Sequence, residues 1–408
     1  MHGIEWDPPV SSAAQLLARQ LADGGQRPYL TYRDTVTGER TELGYATFEN
    51  WVAKTADAFV EEGVEPGDVV TVATAGHWTG PIVVWACGLL GATARLVPGD
   101  GAPGRAGQAE ADMPRFGRAD RVAVVHEDLS PGAIGADATL RLTVGAGLGG
   151  RPLGDADAFV DVALSGADVY DGPAGDLDRS WLLVPDRDRW ARLTQRNVLA
   201  AADVLTGWGL ASGERLLVTL PMERTAGAVP AIAALAVGAA MVVVRGGDAG
   251  QWLAIAEEER ANWLLTDAAG VGGLGRASPG DHGLSGVVSP EGAAEPAAAL
   301  AATRLGVEVA VGSGLPGAGT VASLTPRGHD PATAAWLAAE PGRPAGAVLP
   351  PAYIEEREGE LHIDGPVASP GPEGGPDFEG PRGTGVAGEL RHGPDDRPYV
   401  FLTGDLSP

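Results

Sequence analysis

The sequence has 408 residues, 44% hydrophobic and 20% charged, a globular composition that excludes a disordered chain and suggests two or three compact units. A net charge of −25 argues against binding nucleic acid or anionic lipid, whose phosphates that field would repel. The one cysteine, Cys87, excludes an internal disulfide framework and any multi-thiolate metal site. Aromatics are only 5%, so Ala, Val and Leu must fill the core, and 61 Gly with 32 Pro imply many turns. Of 29 basic residues, Lys54 alone is lysine, so any lysine-dependent chemistry has one candidate in the chain. The first 25 residues carry Glu5 and Asp7 and no apolar run, so they do not read as a signal peptide, and a cytoplasmic location is expected.

In chain order, residues 11–21 have a helical pattern. Short strands at 29–32 and 41–45 flank the turn Thr37-Gly38. Thr47, with Asn50 three residues on, reads as the N-cap of a helix reaching Glu61. A β-α-β unit follows: strand 68–74, apolar helix 82–90 and strand 93–97. The same unit recurs as strand 215–220, helix 226–236 and strand 240–244. Gly67-Asp68-Val69-Val70 answers Gly213-Glu214-Arg215-Leu216, and Gly91-Ala92 answers Gly238-Ala239. Strands alternating with helices predict parallel sheets, and two such units predict two α/β lobes. The uncharged stretch 225–244 is as long as a membrane span, but Pro230, Gly238 and a β-branched end make it a buried helix, a turn and a buried strand.

The alternation continues with a helix at 252–260, strands at 263–266 and 286–289, a helix at 297–305 and a strand at 307–311. The end changes character: a hairpin at 353–363, a Pro/Gly-rich loop at 365–388 and a strand at 399–402. The expected division is a first α/β lobe over 1–180, a second over 181–340 and a smaller β-rich lobe over 341–408.

Several segments, in this order, resemble the large N-terminal domain of the adenylate-forming superfamily, which includes acyl-CoA synthetases, peptide-synthetase adenylation domains and luciferases. They are Leu30-Thr31-Tyr32 with Thr47-Phe48, the unit from Gly67 to Ala92, and Leu193-Thr194-Gln195-Arg196-Asn197-Val198. Further on come Leu220-Pro221-Met222 with Ala226-Gly227, the run Gly359-Glu360-Leu361 to Gly365-Pro366, and Thr403-Gly404-Asp405-Leu406. The resemblance implies a cleft between lobes where ATP activates a carboxylate.

The departures bear on that chemistry. The family's phosphate loop, Ser-Gly-Thr-Thr-Gly-x-Pro-Lys, should precede Leu193. Here residues 183–192 read Leu-Val-Pro-Asp-Arg-Asp-Arg-Trp-Ala-Arg, with no Gly, Ser, Thr or Lys. Nothing remains to build a nest of backbone N–H groups, and the segment reads as a solvated charged turn capped by Trp190. Where the family places Tyr-Gly-x-Thr-Glu, this chain has Val311-Gly312-Ser313-Gly314-Leu315: the glycine stays and the Mg²⁺-holding acid is gone. The family's C-terminal domain, with its second lysine, would follow Asp405 and is expected to be missing. No metal site is expected.

The ligand-binding candidates are therefore Thr403, Gly404 and Asp405, whose carboxylate would accept from ribose hydroxyls or else serve a turn. Gly312, Ser313 and Gly314 begin a Gly-rich run that reads as a flexible pocket wall or else a phosphate loop. Glu223 and Arg224 replace an aromatic and a histidine at the mouth of the acyl pocket, where they would meet a polar group or form a surface ion pair. His77 follows a strand, where open α/β sheets take ligands. No catalytic residue is assigned. The resulting expectation is a remodelled member that no longer makes acyl-adenylates and holds a small acyl, amino-acid or nucleotide-like molecule, with no cofactor beyond weak adenosine or AMP binding. The alternatives are a pseudoenzyme that binds a carrier protein or partner synthetase, and a ligase completed in trans.

Overall fold

The computed structural model describes residues 10–25, 27–98, 120–129, 134–135, 137–145, 152, 154–172, 176–186, 189–278, 281–290, 295–313, 323–324, 336, 343–348, 353–364, 368, 371–372 and 381–403. Among them lie two parallel-dominated sheets flanked by helices, with an antiparallel extension near the C-terminal end.

The N-terminal part sets up both sheets. Helix α1 (Ala13–Gly24) starts where the Ser12 hydroxyl accepts from the Gln15 N–H, and it buries Leu16 and Leu17. Strands β1 (Pro28–Asp34) and β2 (Arg40–Gly44) form an antiparallel hairpin. Helix α2 (Tyr45–Glu61) begins two residues before the expected Thr47 cap, with Gly44 at the N-cap, and ends at Glu61 as read.

The smaller sheet grows from β3 (Val69–Ala73), α3 (Thr79–Leu90) and β4 (Thr93–Leu96). It adds β5 (Val122–His126), β6 (Leu140–Val144), β7 (Asp157–Ala158), β8 (Ser180–Asp186) and β9 (Arg189–Thr194), with α4 (Phe159–Ser165) after β7. Strands β3 to β8 pair in parallel in the order β8-β4-β3-β5-β6-β7. β9 returns antiparallel along β8.

The larger sheet is built around β10 (Arg215–Val218), α6 (Thr225–Val237) and β11 (Ala240–Arg245), after the intervening helix α5 (Gln195–Trp208). It continues through α7 (Ala249–Glu258), β12 (Trp263–Leu265), α8 (Ala268–Leu274), β13 (Gly286–Ser289), α9 (Glu295–Leu305) and β14 (Glu308–Ser313). The parallel order is β14-β13-β12-β10-β11-β1. The N-terminal hairpin thus belongs to this sheet: Leu30 of β1 registers on Met241 of β11.

Beyond β14 the sheet turns antiparallel through β15 (Ser323–Leu324), β16 (Arg343–Val348) and β21 (Pro398–Leu402). It then takes in β20 (Arg382–His392) and the hairpin β17 (Tyr353–Arg357) and β18 (Glu360–Asp364). Residues 382–388, read as loop, are the first part of β20. Glycines obscured the strand, whose register to β21 (Gly388↔Leu402) supplies the pairing. A short strand, β19 (Gly371–Pro372), covers the free side of β9.

The core lies between the sheets. Helices α3 and α6 are apolar all round, and every residue of α3 is buried. Helix α6 has 13 residues, about 20 Å long, well short of the ~30 Å hydrocarbon core. No helix among the described residues is long and apolar enough to cross a membrane. Trp85 of α3 meets Trp181 of β8 edge-on at 5.1 Å, and the Trp181 indole donates to the Val84 carbonyl at 2.8 Å.

Candidate functional site at the strand ends

The two β-α-β units place their strand ends side by side. β3 runs into the turn Thr74–Trp78 before α3, and β10 runs into the turn Thr219–Arg224 before α6. Ala75 and Gly76 both take positive φ, at 52° and 76°. That left-handed pair points backbone N–H groups of the first turn at the second.

Glu223 receives them. Its side chain is fully buried, and Oε1 accepts from the Thr74 N–H (2.7 Å), the Thr74 hydroxyl (2.8 Å) and the Gly76 N–H (3.3 Å). Oε2 is buried without a hydrogen-bond partner among the described residues. Burial raises the carboxyl pKa, and the Thr74 and Gly76 donors pull against that shift. A surface ion pair is therefore ruled out for Glu223. Arg224 is half-buried at the N-cap of α6, with its carbonyl accepting from Gly227 and Ala228.

His77 occupies the same turn and is buried. Its Nδ1 lies 2.9 Å from the Thr79 hydroxyl and accepts from the Thr79 N–H at 3.4 Å. Since a backbone N–H can only donate, the ring proton sits on Nε2, which is buried and unpartnered. The ring stands edge-on to Tyr32 of β1 at 5.1 Å and lies 5.8 Å from His126 at the end of β5. Burial, then His126 and Arg245, push the imidazole down to about 3, so it is neutral. His126 is shifted down too, by burial and Arg245.

A charged rim completes the cluster. Arg245, at the end of β11, donates to Asp34 of β1 at 3.0 Å and pairs with Asp128 beyond β5, so this contact also crosses between sheets. Asp34 also takes the N–H groups of Val36 (2.7 Å) and Thr37 (3.1 Å). Sequence reasoning found His77 and Glu223 but missed Tyr32, Asp34, His126 and Arg245. Asp34, His126 and Arg245 share a strand-final position, and Tyr32 lies two residues before the end of β1.

The remaining candidates lie elsewhere. At the phosphate-loop position, β8 and β9 pair as far as Asp186↔Arg189, leaving only residues 187–188, outside the described residues, between them. Trp190 is buried against Leu183, Val97 and Ala123, with the Arg95 guanidinium 5.9 Å from its ring, so it caps no solvated loop. The Leu-Thr-x-x-Asn segment is structural: Thr194 and Asn197 form the capping box of α5, and Asn197 also donates to the Ala368 carbonyl at 2.8 Å. Gly312 and Ser313 pair with Leu324 and Ser323, and Gly314 lies outside the described residues. Thr403 is exposed and its N–H donates to the Ala387 carbonyl; Gly404 and Asp405 lie outside the described residues. Lys54 donates to the Gly166 carbonyl at 3.1 Å and pairs with Asp168 at 2.6 Å, tying α2 to the segment after α4.

The fold is that of the large domain of adenylate-forming enzymes. The N-terminal domain of FACL13 from Mycobacterium tuberculosis superposes with a TM-score of 0.77 at 16% identity, covering 97% of this chain and 100% of that one. A protein of Rhodopseudomonas palustris CGA009 described as a long-chain-fatty-acid CoA ligase gives 0.79 at 18% identity, covering 97% and 99%. The anthranilate CoA ligase AuaEII, solved with anthranoyl-AMP, gives 0.78 at 16%, covering 97% of this chain and 78% of its own.

At these identities the likeness establishes the fold. No family model matches the chain. A "TIGR03089 family protein" of Mycobacterium tuberculosis is 32% identical over 115 residues, which is 28% of this chain and less than half of that protein, at 45%.

Proposed function

We propose that this protein is a remodelled relative of the adenylate-forming ligases that binds a small acyl, amino-acid or nucleotide-like molecule between its sheets and no longer activates carboxylates with ATP. The observation that supports this most is the β8–β9 hairpin. A triphosphate needs a loop of several residues whose N–H groups converge on it, with a lysine to supply charge. A pairing that runs to Asp186↔Arg189 leaves no room for that loop. Leu315, where the resemblance calls for a Mg²⁺-binding acid, argues the same way.

Ribose and adenine are recognised through neutral hydrogen bonds and stacking, so that part of a nucleotide site can outlast the triphosphate part. Asp405 is the residue in the reading that would hold ribose. Titration calorimetry with adenosine, AMP and ATP, each with and without Mg²⁺, tests it. Adenosine and AMP should bind at least as tightly as ATP. Tighter binding of ATP with Mg²⁺ would overturn the reading, and no binding by any of the three would remove the nucleotide from it.

A further inference from the structure

The larger sheet ends on β2, whose one neighbour among the described residues is β1. Residues of an antiparallel pair alternate between those that exchange both backbone bonds and those that exchange none. The Asp34 N–H donates to the Glu39 carbonyl at 2.9 Å, which makes Tyr32↔Thr41 and Leu30↔Leu43 the bonded pairs. Arg33↔Arg40 and Thr31↔Glu42 are the others. The backbone N–H and C=O groups of Arg40 and Glu42 therefore point away from β1, along the outer edge of the sheet.

Such an edge is a template for another strand, and proteins guard it with proline, bulges or lysine. β2 reads Arg-Thr-Glu-Leu-Gly, with charges of both signs on its outward residues. Arg40 and Glu42 are 45% and 35% exposed and pair with each other at 2.8 Å. The Arg40 guanidinium is also held by Glu259 at 2.8 and 2.9 Å, which fixes it beside the edge.

An antiparallel second copy of β2 must set outward residues opposite outward residues. With a two-fold axis at Thr41, Arg40 stands opposite Glu42 of the second copy, and Glu42 opposite its Arg40. An axis at Glu42 would oppose two carboxylates, and one at Arg40 two guanidiniums. Opposite charges across a strand pair stabilise it and like charges weaken it, so one register is selected. The other sheet ends lack this property. β7 and β19 have two residues each. β17 carries Glu355 beside Glu356, so an axis at either sets a carboxylate against its own copy. We propose that β2 is an interface on which two copies of this chain pair edge to edge, about a two-fold axis at Thr41.

Sedimentation equilibrium of the whole chain, at about 0.15 M salt where charges are screened beyond roughly 8 Å, should show monomers and dimers exchanging. Glu42→Arg sets guanidinium against guanidinium twice. It should raise the dissociation constant at least about tenfold and leave the melting temperature unchanged. Cysteine cross-linking reads the register, because the native Cys87 is buried. Under oxidation Thr41→Cys should link two copies, since the axis sets these residues opposite at about 4.5 Å, within disulfide range. Glu42→Cys should not, because its counterpart lies on the diagonal at about 7–8 Å. A chain that stays monomeric up to millimolar concentration overturns the proposal. So does a dimer that Glu42→Arg leaves intact, or cross-linking that Glu42→Cys gives and Thr41→Cys does not.

Discussion

The units β3-α3-β4 and β10-α6-β11 are two versions of one design. In each, a glycine in the left-handed region ends the helix: Gly91 at φ 68° and Gly238 at 79°. Each repeats the same backbone bonds, with Gly67 N–H to Gly91 O at 2.8 Å matched by Gly213 N–H to Gly238 O at 2.9 Å. Each also has a glycine in the first helical turn. A Cβ on Gly80 would sit 2.5 Å from the Thr74 hydroxyl, and one on Gly227 would sit 2.3 Å from the Pro221 carbonyl.

They differ in two places. α3 packs on tryptophan, Trp85 against Trp181, while the buried face of α6 is Ala, Val, Ile and Leu. One turn is a donor and the other an acid, so the two copies are complementary at their strand ends. Repetition gave the framework, and divergence at the turns joined the two sheets through Glu223.

Removing the tryptophan pair should have the largest effect. Trp85→Ala should cost about 3–5 kcal/mol in urea unfolding, because a rigid aromatic contact cannot collapse into the cavity left behind. Breaking the complementary turns should come next. Glu223→Ala strands the Thr74 and Gly76 N–H groups and should cost at least about 2 kcal/mol, at no less than about 1 for each buried donor left unmade. A loss under about 1 kcal/mol would mean that the turns hold without the carboxylate.

The smallest effect, taken over a single pH unit, is one of pH. His77 takes a proton in the fold only at about 3, whereas the unfolded imidazole takes one near its ordinary value of 6.5. Between those values the unfolded chain binds more protons, so stability falls as pH falls, by up to about 1.4 kcal/mol per pH unit. His77→Gln should flatten that limb, and an unchanged acid profile would show that His77 is solvated.

The repeated units were legible because they combine apolar runs with glycines at fixed offsets, as at Gly91 and Gly238. The strand β5 and the helix α5 were not read as such, although Thr194 and Asn197 form a capping box. β20 was hidden because its pairing partner, β21, lies across a turn and its own glycines favour a loop reading. Glu223 and Arg224 looked like a charged surface pair in one dimension. Only the meeting of two sheets shows that the first turns inward, onto N–H groups 147 and 149 residues away in sequence.

ATP–pyrophosphate exchange with a panel of carboxylic acids tests the central claim most directly. With a hairpin where a phosphate loop would be, and no lysine in it, the chain should give no acid-dependent exchange above background. Each missing charge stabiliser typically costs about 2.7–4 kcal/mol of barrier, so losing several together should place the rate beyond detection. Exchange that depends on any acid in the panel would contradict the account.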